Sequence, residues 1–459
     1  MNEFEDSYIL YVDNFRGFKK NFIPLKKVNF LMGENSTGKT SILSLINLIH
    51  HPSFWFSKGF HNSEINFGSF YEISNKEDGK KSFSIGLLNC KVDSNKDNSN
   101  KNEKGINLLL LTFYDDNGIP SLSEYSYSIG DYSRCVKISK NKKTVLYKEL
   151  YPTFEMLTES KDMAPMFKQW IDFVSTEIKK SSFNKVSFEG LPPYPVFIQS
   201  IVENDIVEKE SKKKNTVISK EYRSPEIFEI FNLEGGLCWI APIRAKPRRV
   251  YDNFNYSISP EGEHAPYVLK NLLSSKKKAG SIKEIMDTFG KQSGLFDTVK
   301  INNLGRSNVS PFEINIDLNS HLYKIYNVGY GVSQVLPIVV DLIGRSKGTL
   351  FAIQQPEVHL HPKAQASLGE LIYNISSEEE STFLVETHSE YLVNRFRYNM
   401  YKNKNKEKTV DSQVLFFEKT NNGNEVHVIE IKNNGKYSEN QPDSFNDFFI
   451  DEELNLLEI

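Results

Sequence analysis

The chain has 459 residues, a hydrophobic share of 39%, a charged share of 25% and a formal net charge of −3. That length suits two or three domains, and the composition is that of a globular protein rather than a disordered or fibrous one. A slightly acidic balance excludes a wholly basic nucleic-acid coat, so any DNA contact must come from local patches.

No apolar run is long enough to span a membrane. The opening Met1-Asn2-Glu3-Phe4-Glu5-Asp6 is acidic and does not read as a signal peptide, so a cytoplasmic location is expected. The three cysteines, Cys90, Cys135 and Cys238, are far apart and odd in number, which suggests neither a disulfide framework nor a zinc site.

Residues 7–32 read as two strands, Ser7 to Val12 and Lys27 to Met32, with a basic turn at Asn14 to Lys19. The second strand feeds Gly33-Glu34-Asn35-Ser36-Thr37-Gly38-Lys39-Thr40, a G-x-x-x-x-G-K-T phosphate loop. A helix opens at Ser41 and runs to about residue 51. In this strand–loop–helix setting the glycines let backbone N–H groups converge on an anion, and the helix N-terminus adds partial positive charge. Lys39 then suits the β- and γ-phosphates of ATP, and the Thr40 hydroxyl suits Mg²⁺. The bland alternative is a glycine turn that binds nothing.

From residue 73 to 235 short apolar runs alternate with polar loops. The segment Asp93 to Lys104 has no apolar residue and reads as a mobile loop. Helical spacing at Met163, Met166, Phe167, Trp170, Ile171 and Val174 predicts one strong helix over 163–180.

A second compact stretch begins at Gly236, with a strand at Leu237 to Ala241 and then the basic run Pro242 to Arg249. Lys246, Arg248 and Arg249, with Lys276-Lys277-Lys278, are candidate phosphate contacts or simply solvated loops. Gly329-Tyr330-Gly331-Val332-Ser333-Gln334 leads into a helical run, Val335 to Ile343. A buried strand, Thr349 to Ile353, ends in Gln354-Gln355-Pro356-Glu357 and continues into His359-Leu360-His361-Pro362. The next strand, Thr382 to Glu386, ends in Thr387-His388-Ser389. His388 is either a site residue at a strand end or a structural cap of the following helix. His359 and His361 have a spacing that invites a metal, but no acid or cysteine cluster completes it.

Together these residues resemble the ABC-type ATPase heads of the RecF, SMC and OLD group. The phosphate loop is their Walker A motif, Val328 to Pro337 resembles their signature, Leu350 to Glu357 their Walker B region, and His388 their switch histidine. The turn Asn14-Phe15-Arg16-Gly17-Phe18 is also similar to these heads. The resemblance covers residues 7–72 and about 236–459.

Within the group, Ile240 to Tyr251 and Ser259 to His264 are most similar to the Septu ATPases (PtuA) of anti-phage defence, where an HNH-type nuclease is the partner and nucleotide restrains it. The PARIS sensor ATPases (AriA) and RecF-like repair ATPases are the competing likenesses.

The resemblance implies an α/β P-loop ABC-type ATPase head built from both ends of the chain, 1–72 and 236–459, with an inserted α+β lobe at 73–235. It implies ATP and Mg²⁺ as cofactors. Gly33 to Ser41 would take the phosphates, while Gly331, Ser333 and Gln334 of one copy would face the nucleotide of another. A homodimer or higher oligomer follows, because one subunit cannot supply both halves to one nucleotide. Gln354, Gln355, Glu357 and His388 fall at the catalytic positions, with Gln354 also at the metal position beside Thr40. An amide carries no charge and is no general base at neutral pH, so slow or absent turnover is expected. The segment after His388 is short and lacks an HNH-like cluster, so no nuclease domain is expected in this chain.

Overall fold

The computed structural model describes residues 7–56, 59–75, 81–91, 105–129, 132–139, 143–150, 163–180, 182–187, 195–214, 236–252, 256–307, 309–378, 380–405 and 409–447. The expected loop at Asp93 to Lys104 lies outside them. The chain divides into two compact units. One comprises residues 1–25, 44–232 and 419–426, the other 26–43, 233–418 and 427–459.

The first unit is built on an eight-stranded sheet in the order β2-β1-β4-β5-β6-β7-β8-β9. Its strands are β1 (Ser7–Asp13), β2 (Asn21–Leu25), β4 (Ser82–Lys91), β5 (Gly105–Asp116), β6 (Ile119–Ile129), β7 (Tyr132–Ile138), β8 (Thr144–Leu150) and β9 (Asn184–Ser187). Every neighbouring pair is antiparallel. Period-2 alternation gives the sheet one apolar face, on which Tyr11, Leu88, Cys90, Leu108, Leu110 and Cys135 meet the helix Met163–Glu177. That helix buries Met166, Phe167 and Trp170, and the Trp170 indole N–H is satisfied by Ser133 Oγ at 3.0 Å. The expected helix is therefore present. A further helix, Pro195–Lys214, belongs to the same unit.

The start of the chain departs from expectation. Residues 7–32 hold three strands, not two, because Asn21–Leu25 forms β2 and folds back on β1. β1 also pairs along its whole length with β4, from Ser7↔Cys90 to Asp13↔Ser84. Residues 7–25 therefore group with the antiparallel sheet and not with the phosphate loop. Such pairing between strands far apart in sequence is invisible in local periodicity.

The second unit carries a six-stranded sheet in the order β10-β14-β15-β3-β16-β17. These strands are β3 (Val28–Gly33), β10 (Leu237–Ile240), β14 (Leu350–Gln354), β15 (Thr382–Glu386), β16 (Ser412–Thr420) and β17 (Gly423–Ile431). The pairs from β10 through β14, β15 and β3 to β16 are all parallel. Buried parallel strands read as apolar runs; Leu350 to Ile353 is one, and Val28 to Met32 is another apart from Asn29, whose buried amide donates to the Lys26 and Phe383 carbonyls. Each fully buried Phe or Leu contributes about 1.5–3 kcal/mol relative to exposure. A smaller antiparallel sheet, β11 (Thr298–Asn303), β12 (Phe312–Leu318) and β13 (His321–Lys324), belongs to the same unit. Gly369 marks a close approach of two helices, Pro362–Glu378 and Glu390–Lys402, since a Cβ there would lie 2.0 Å from the Leu392 carbonyl oxygen.

The consequence for a site is geometric. Parallel pairing puts the C-terminal ends of β3, β14 and β15 side by side, with Gln354 opposite Glu386 and Glu386 opposite Leu31. The phosphate loop, the Gln354-Gln355 pair and the His388 segment emerge together there, where parallel sheets place their ligands.

Candidate nucleotide-binding site

The phosphate loop leaves β3 at Gly33, whose φ of +129° is open to glycine. A side chain there would strike the Phe417 carbonyl oxygen of β16, 2.1 Å from an ideal Cβ. Glu34, Asn35 and Ser36 are exposed at the loop's crest, and Thr37 is buried with its hydroxyl donating to the Glu34 carbonyl at 2.8 Å. The helix Lys39–His50 starts immediately afterwards, and Ser41 is buried in its first turn. Lys39 is 4% exposed, and its ammonium donates to the carbonyls of Gly33 at 2.8 Å and Glu34 at 2.6 Å. Burial lowers its pKa, and the charges of Glu386 and Glu34 work against that.

Thr40 is held by a partner that sequence reasoning did not single out. Its hydroxyl donates to Glu386 Oε1 at 2.7 Å. The other carboxylate oxygen of Glu386 accepts from Gln354 Nε2 at 3.4 Å. Glu386 is 4% exposed, so a carboxylate sits in the interior beside the Walker A threonine, one strand away from Gln354. A signal was available: an acid closing an otherwise apolar buried strand is uncommon enough to ask about.

Gln355 has a φ of +41°, in the left-handed region that a side chain rarely adopts. Its N–H donates to the Glu386 carbonyl at 2.7 Å, which fixes the turn onto β15. Its own carbonyl and that of Gln354 both accept from Arg244 Nη2, at 3.3 and 3.1 Å. Arg244 is 2% exposed, and its Nε and Nη1 find no partner among the described residues. Burial pushes its pKa down to about 10, offset by the charge of Glu357.

The segment around Arg244 is fastened from two sides. Ala241 and Ala245 donate backbone N–H to Pro260 and Glu261, and buried His264 meets Asp341 at 2.9 Å. The Ser259 to His264 motif thus has a structural task. Gln334 holds the other side: its side-chain oxygen accepts from the Arg244 N–H at 3.3 Å, and its amide nitrogen lies 3.5 Å from the Arg244 carbonyl. Gln334 is 2% exposed and clamps Arg244. A contiguous hydrogen-bonded series therefore runs from Gln334 through Arg244, the Gln354-Gln355 turn and Glu386 to Thr40.

Glu357 does not cap the helix that follows it. Its Oε1 accepts from the His388 N–H at 2.7 Å and its Oε2 from the Thr387 hydroxyl at 2.9 Å. It staples the turn after β14 to the turn after β15. Burial raises its pKa, against those hydrogen bonds and the Arg244 charge.

Nor does His388 act as a cap. Ser389 is the N-cap of Glu390–Lys402, accepting from the Leu392 N–H. His388 is half-buried, and its pKa is lowered by burial and then by the nearby Lys39 charge, which places it in the field of the phosphate loop. His361 is the cap of the preceding helix, accepting at Nδ1 from the Ala364 N–H at 3.4 Å, ahead of Pro362. His359 packs edge-on against Tyr330. Among the described residues no group of His, Cys, Asp and Glu could hold a metal on its own.

The signature-like segment forms the first turn of the helix Tyr330–Gly344. Ser333 is 5% exposed and donates to the Tyr330 carbonyl at 2.8 Å, while Gly331 lies against the His359 carbonyl. Of the basic run, Arg248 lies 3.8 Å from Glu263, and the Arg249 guanidinium stacks over Tyr326 at 4.9 Å. Lys276, Lys277 and Lys278 are exposed.

These residues fit a nucleoside triphosphate with Mg²⁺. Lys39 spends its ammonium on loop carbonyls that a phosphate would replace, at the start of a helix. Thr40, Glu386 and Gln354 gather hard oxygen donors beside it, the type that Mg²⁺ takes.

Comparison with known proteins agrees. The family described as AAA ATPase domain matches residues 9–393. No protein among those with curated descriptions matches. Among solved structures, the chain is similar to an Smc head with an extended coiled coil bound to the C-terminal domain of ScpA, from Pyrococcus furiosus. Identity is 12% over 98% of this chain and 99% of that one, with a TM-score of 0.40. An SMC head domain from Thermotoga maritima gives 11% identity, 93% and 100% coverage, and a TM-score of 0.35. RecF of the RecFOR pathway gives 13%, 92% and 98%, and 0.31.

Proposed function

The chain belongs to the AAA ATPase domain family, and from that premise we propose that it is an ABC-type ATP-binding regulator. On this reading it binds ATP with Mg²⁺, pairs with a second copy across the nucleotide, and controls a partner nuclease. The observation that carries this reading is the meeting of Lys39 and Thr40 with the ends of β14 and β15, where both catalytic positions are amides. Lys39 and the helix N-terminus hold the phosphates. Bound Mg²⁺ supplies positive charge to the phosphate oxygens. Gln355 can orient a water but cannot take its proton at neutral pH. The side chain of Glu357 is already engaged by Thr387 and His388. Binding without rapid turnover suits a switch better than a motor.

The second copy enters through Ser333, at the start of a long helix and next to exposed Tyr330. The partner of best fit is an HNH-type nuclease of an anti-phage system of the Septu kind, on the likeness of Ile240 to Tyr251 and Ser259 to His264. That second motif fastens the segment carrying Arg244, whose guanidinium donates to the Gln354-Gln355 turn, and this supports a link between the motif and the proposed nucleotide site.

The test is to read the genes flanking this one and to reconstitute the chain with an HNH-type nuclease found there; flanking genes without a nuclease would count against the reading. DNA cleavage by the complex should be restrained by ATP and released when ATP is removed or Lys39 is replaced by Ala. Cleavage indifferent to nucleotide and to Lys39→Ala would refute the regulatory reading.

A further inference from the structure

We infer that Glu386, at the end of β15, is the carboxylate that balances Mg²⁺ at this site, taking the place of the acid missing at Gln354. The inference rests on the nucleotide-binding reading above and assigns its metal charge to one residue.

Mg²⁺ needs oxygen ligands and compensating negative charge close by. The strand that follows the signature helix ends in Gln354, which can offer an amide oxygen but no charge. The neighbouring parallel strand ends level with it, at Glu386. There the carboxylate reaches the Thr40 hydroxyl at 2.7 Å and the Gln354 amide at 3.4 Å. These two hydrogen-bond partners are neutral. Lys39, the cation whose field Glu386 feels, spends its own hydrogen bonds on Gly33 and Glu34. The carboxylate is 4% exposed, and its hydrogen-bond partners bring it no cation of their own, so its oxygens stand beside Thr40 where a divalent cation would sit.

The arrangement is reciprocal. Gln354 lies within reach of Glu386, so an acid in both places would set two carboxylates against each other. An amide at 354 avoids that opposition and donates a hydrogen bond that orients Glu386. The Glu386 backbone carbonyl also accepts the Gln355 N–H, so the same residue positions the turn and carries the charge.

The experiment is calorimetric ATP binding to the full chain, in Mg²⁺ and in EDTA, with Mn²⁺ paramagnetic resonance on the nucleotide complex. The variants are Glu386→Gln and the exchange Gln354→Glu/Glu386→Gln. Glu386→Gln should keep its EDTA affinity and lose about tenfold or more of the tightening by Mg²⁺, with weakened Mn²⁺ binding, the scale seen when a group supporting a metal site is removed. The exchanged pair should regain that tightening. Retention of the full Mg²⁺ gain by Glu386→Gln would overturn the inference. So would loss of ATP binding in EDTA, which marks Glu386 as a structural anchor of Thr40, or failure of the exchanged pair to recover. Wild-type protein that binds ATP under neither condition would overturn the nucleotide reading itself.

Discussion

Glu357→Ala removes the staple between the turns after β14 and β15. The wild-type carboxylate accepts two hydrogen bonds, from the His388 N–H at 2.7 Å and the Thr387 hydroxyl at 2.9 Å. Hydrogen bonds to a charged acceptor are worth about 1.5–3 kcal/mol each. The Thr387 hydroxyl is buried but Glu357 and His388 are only half-buried, so water replaces the carboxylate in part, and the net local cost is about 2 kcal/mol. That corresponds to about a thirtyfold rise in the opening equilibrium of the segment. Global unfolding is the wrong assay, because a chain of two units need not melt in one step. Hydrogen exchange resolved to peptides reads local opening directly. The peptide spanning Thr387 to Leu392 should exchange about thirtyfold faster in Glu357→Ala, and the buried strand β14 should be unaffected. Glu357→Gln keeps one carbonyl acceptor and should lose about half of the free-energy effect. Unchanged protection of Thr387 to Leu392 in Glu357→Ala would refute the stapling role.

Two further outcomes follow from the same geometry. His388 should titrate below its ordinary value of 6.5, because burial disfavours the imidazolium and Lys39 adds to that. Its stabilising contribution is then complete above pH 6.5 and is lost as the pH falls through the folded-state value. Lys39→Ala should raise the His388 midpoint in an NMR titration but leave it depressed, since burial is the larger cause; no movement would remove Lys39 from the neighbourhood. Replacing the exposed Tyr330 beside Ser333, as Tyr330→Glu, should weaken ATP-dependent pairing in light scattering while leaving ATP binding intact, and wild-type protein that stays monomeric in saturating ATP would contradict the two-copy arrangement.

Much of the ATPase half was legible because its signals are local. A buried apolar run, a glycine loop with Lys39 and Thr40, and a helix read directly as phosphate-binding geometry. The apolar runs of β14 and β15 and the helix after Gly329 were equally plain. What escaped depends on contacts between distant residues. The pairing of β1 with β4, 77 positions apart at Leu10↔Leu87, brings β1 and β2 into the antiparallel sheet, and no window of sequence reports that. Glu386 was visible as a strand end, but its role depends on a register that sets it beside Gln354 and within reach of Thr40. Arg244 reads as one cation in a basic run, yet it alone of that run is buried, behind two backbone carbonyls. His361 and Ser389 were separable from His388 only once the helix caps were seen.

The central claim is that ATP is held and not rapidly consumed. It is tested by measuring ATP binding and phosphate release on one sample of the full chain in Mg²⁺, beside Lys39→Ala. The account predicts saturable binding that Lys39→Ala abolishes, with release far slower than ordinary enzyme turnover, below about 0.1 per second. Release at about 1 per second or faster, lost in Lys39→Ala, would contradict it, since Gln354 and Gln355 would then stand in a working hydrolase.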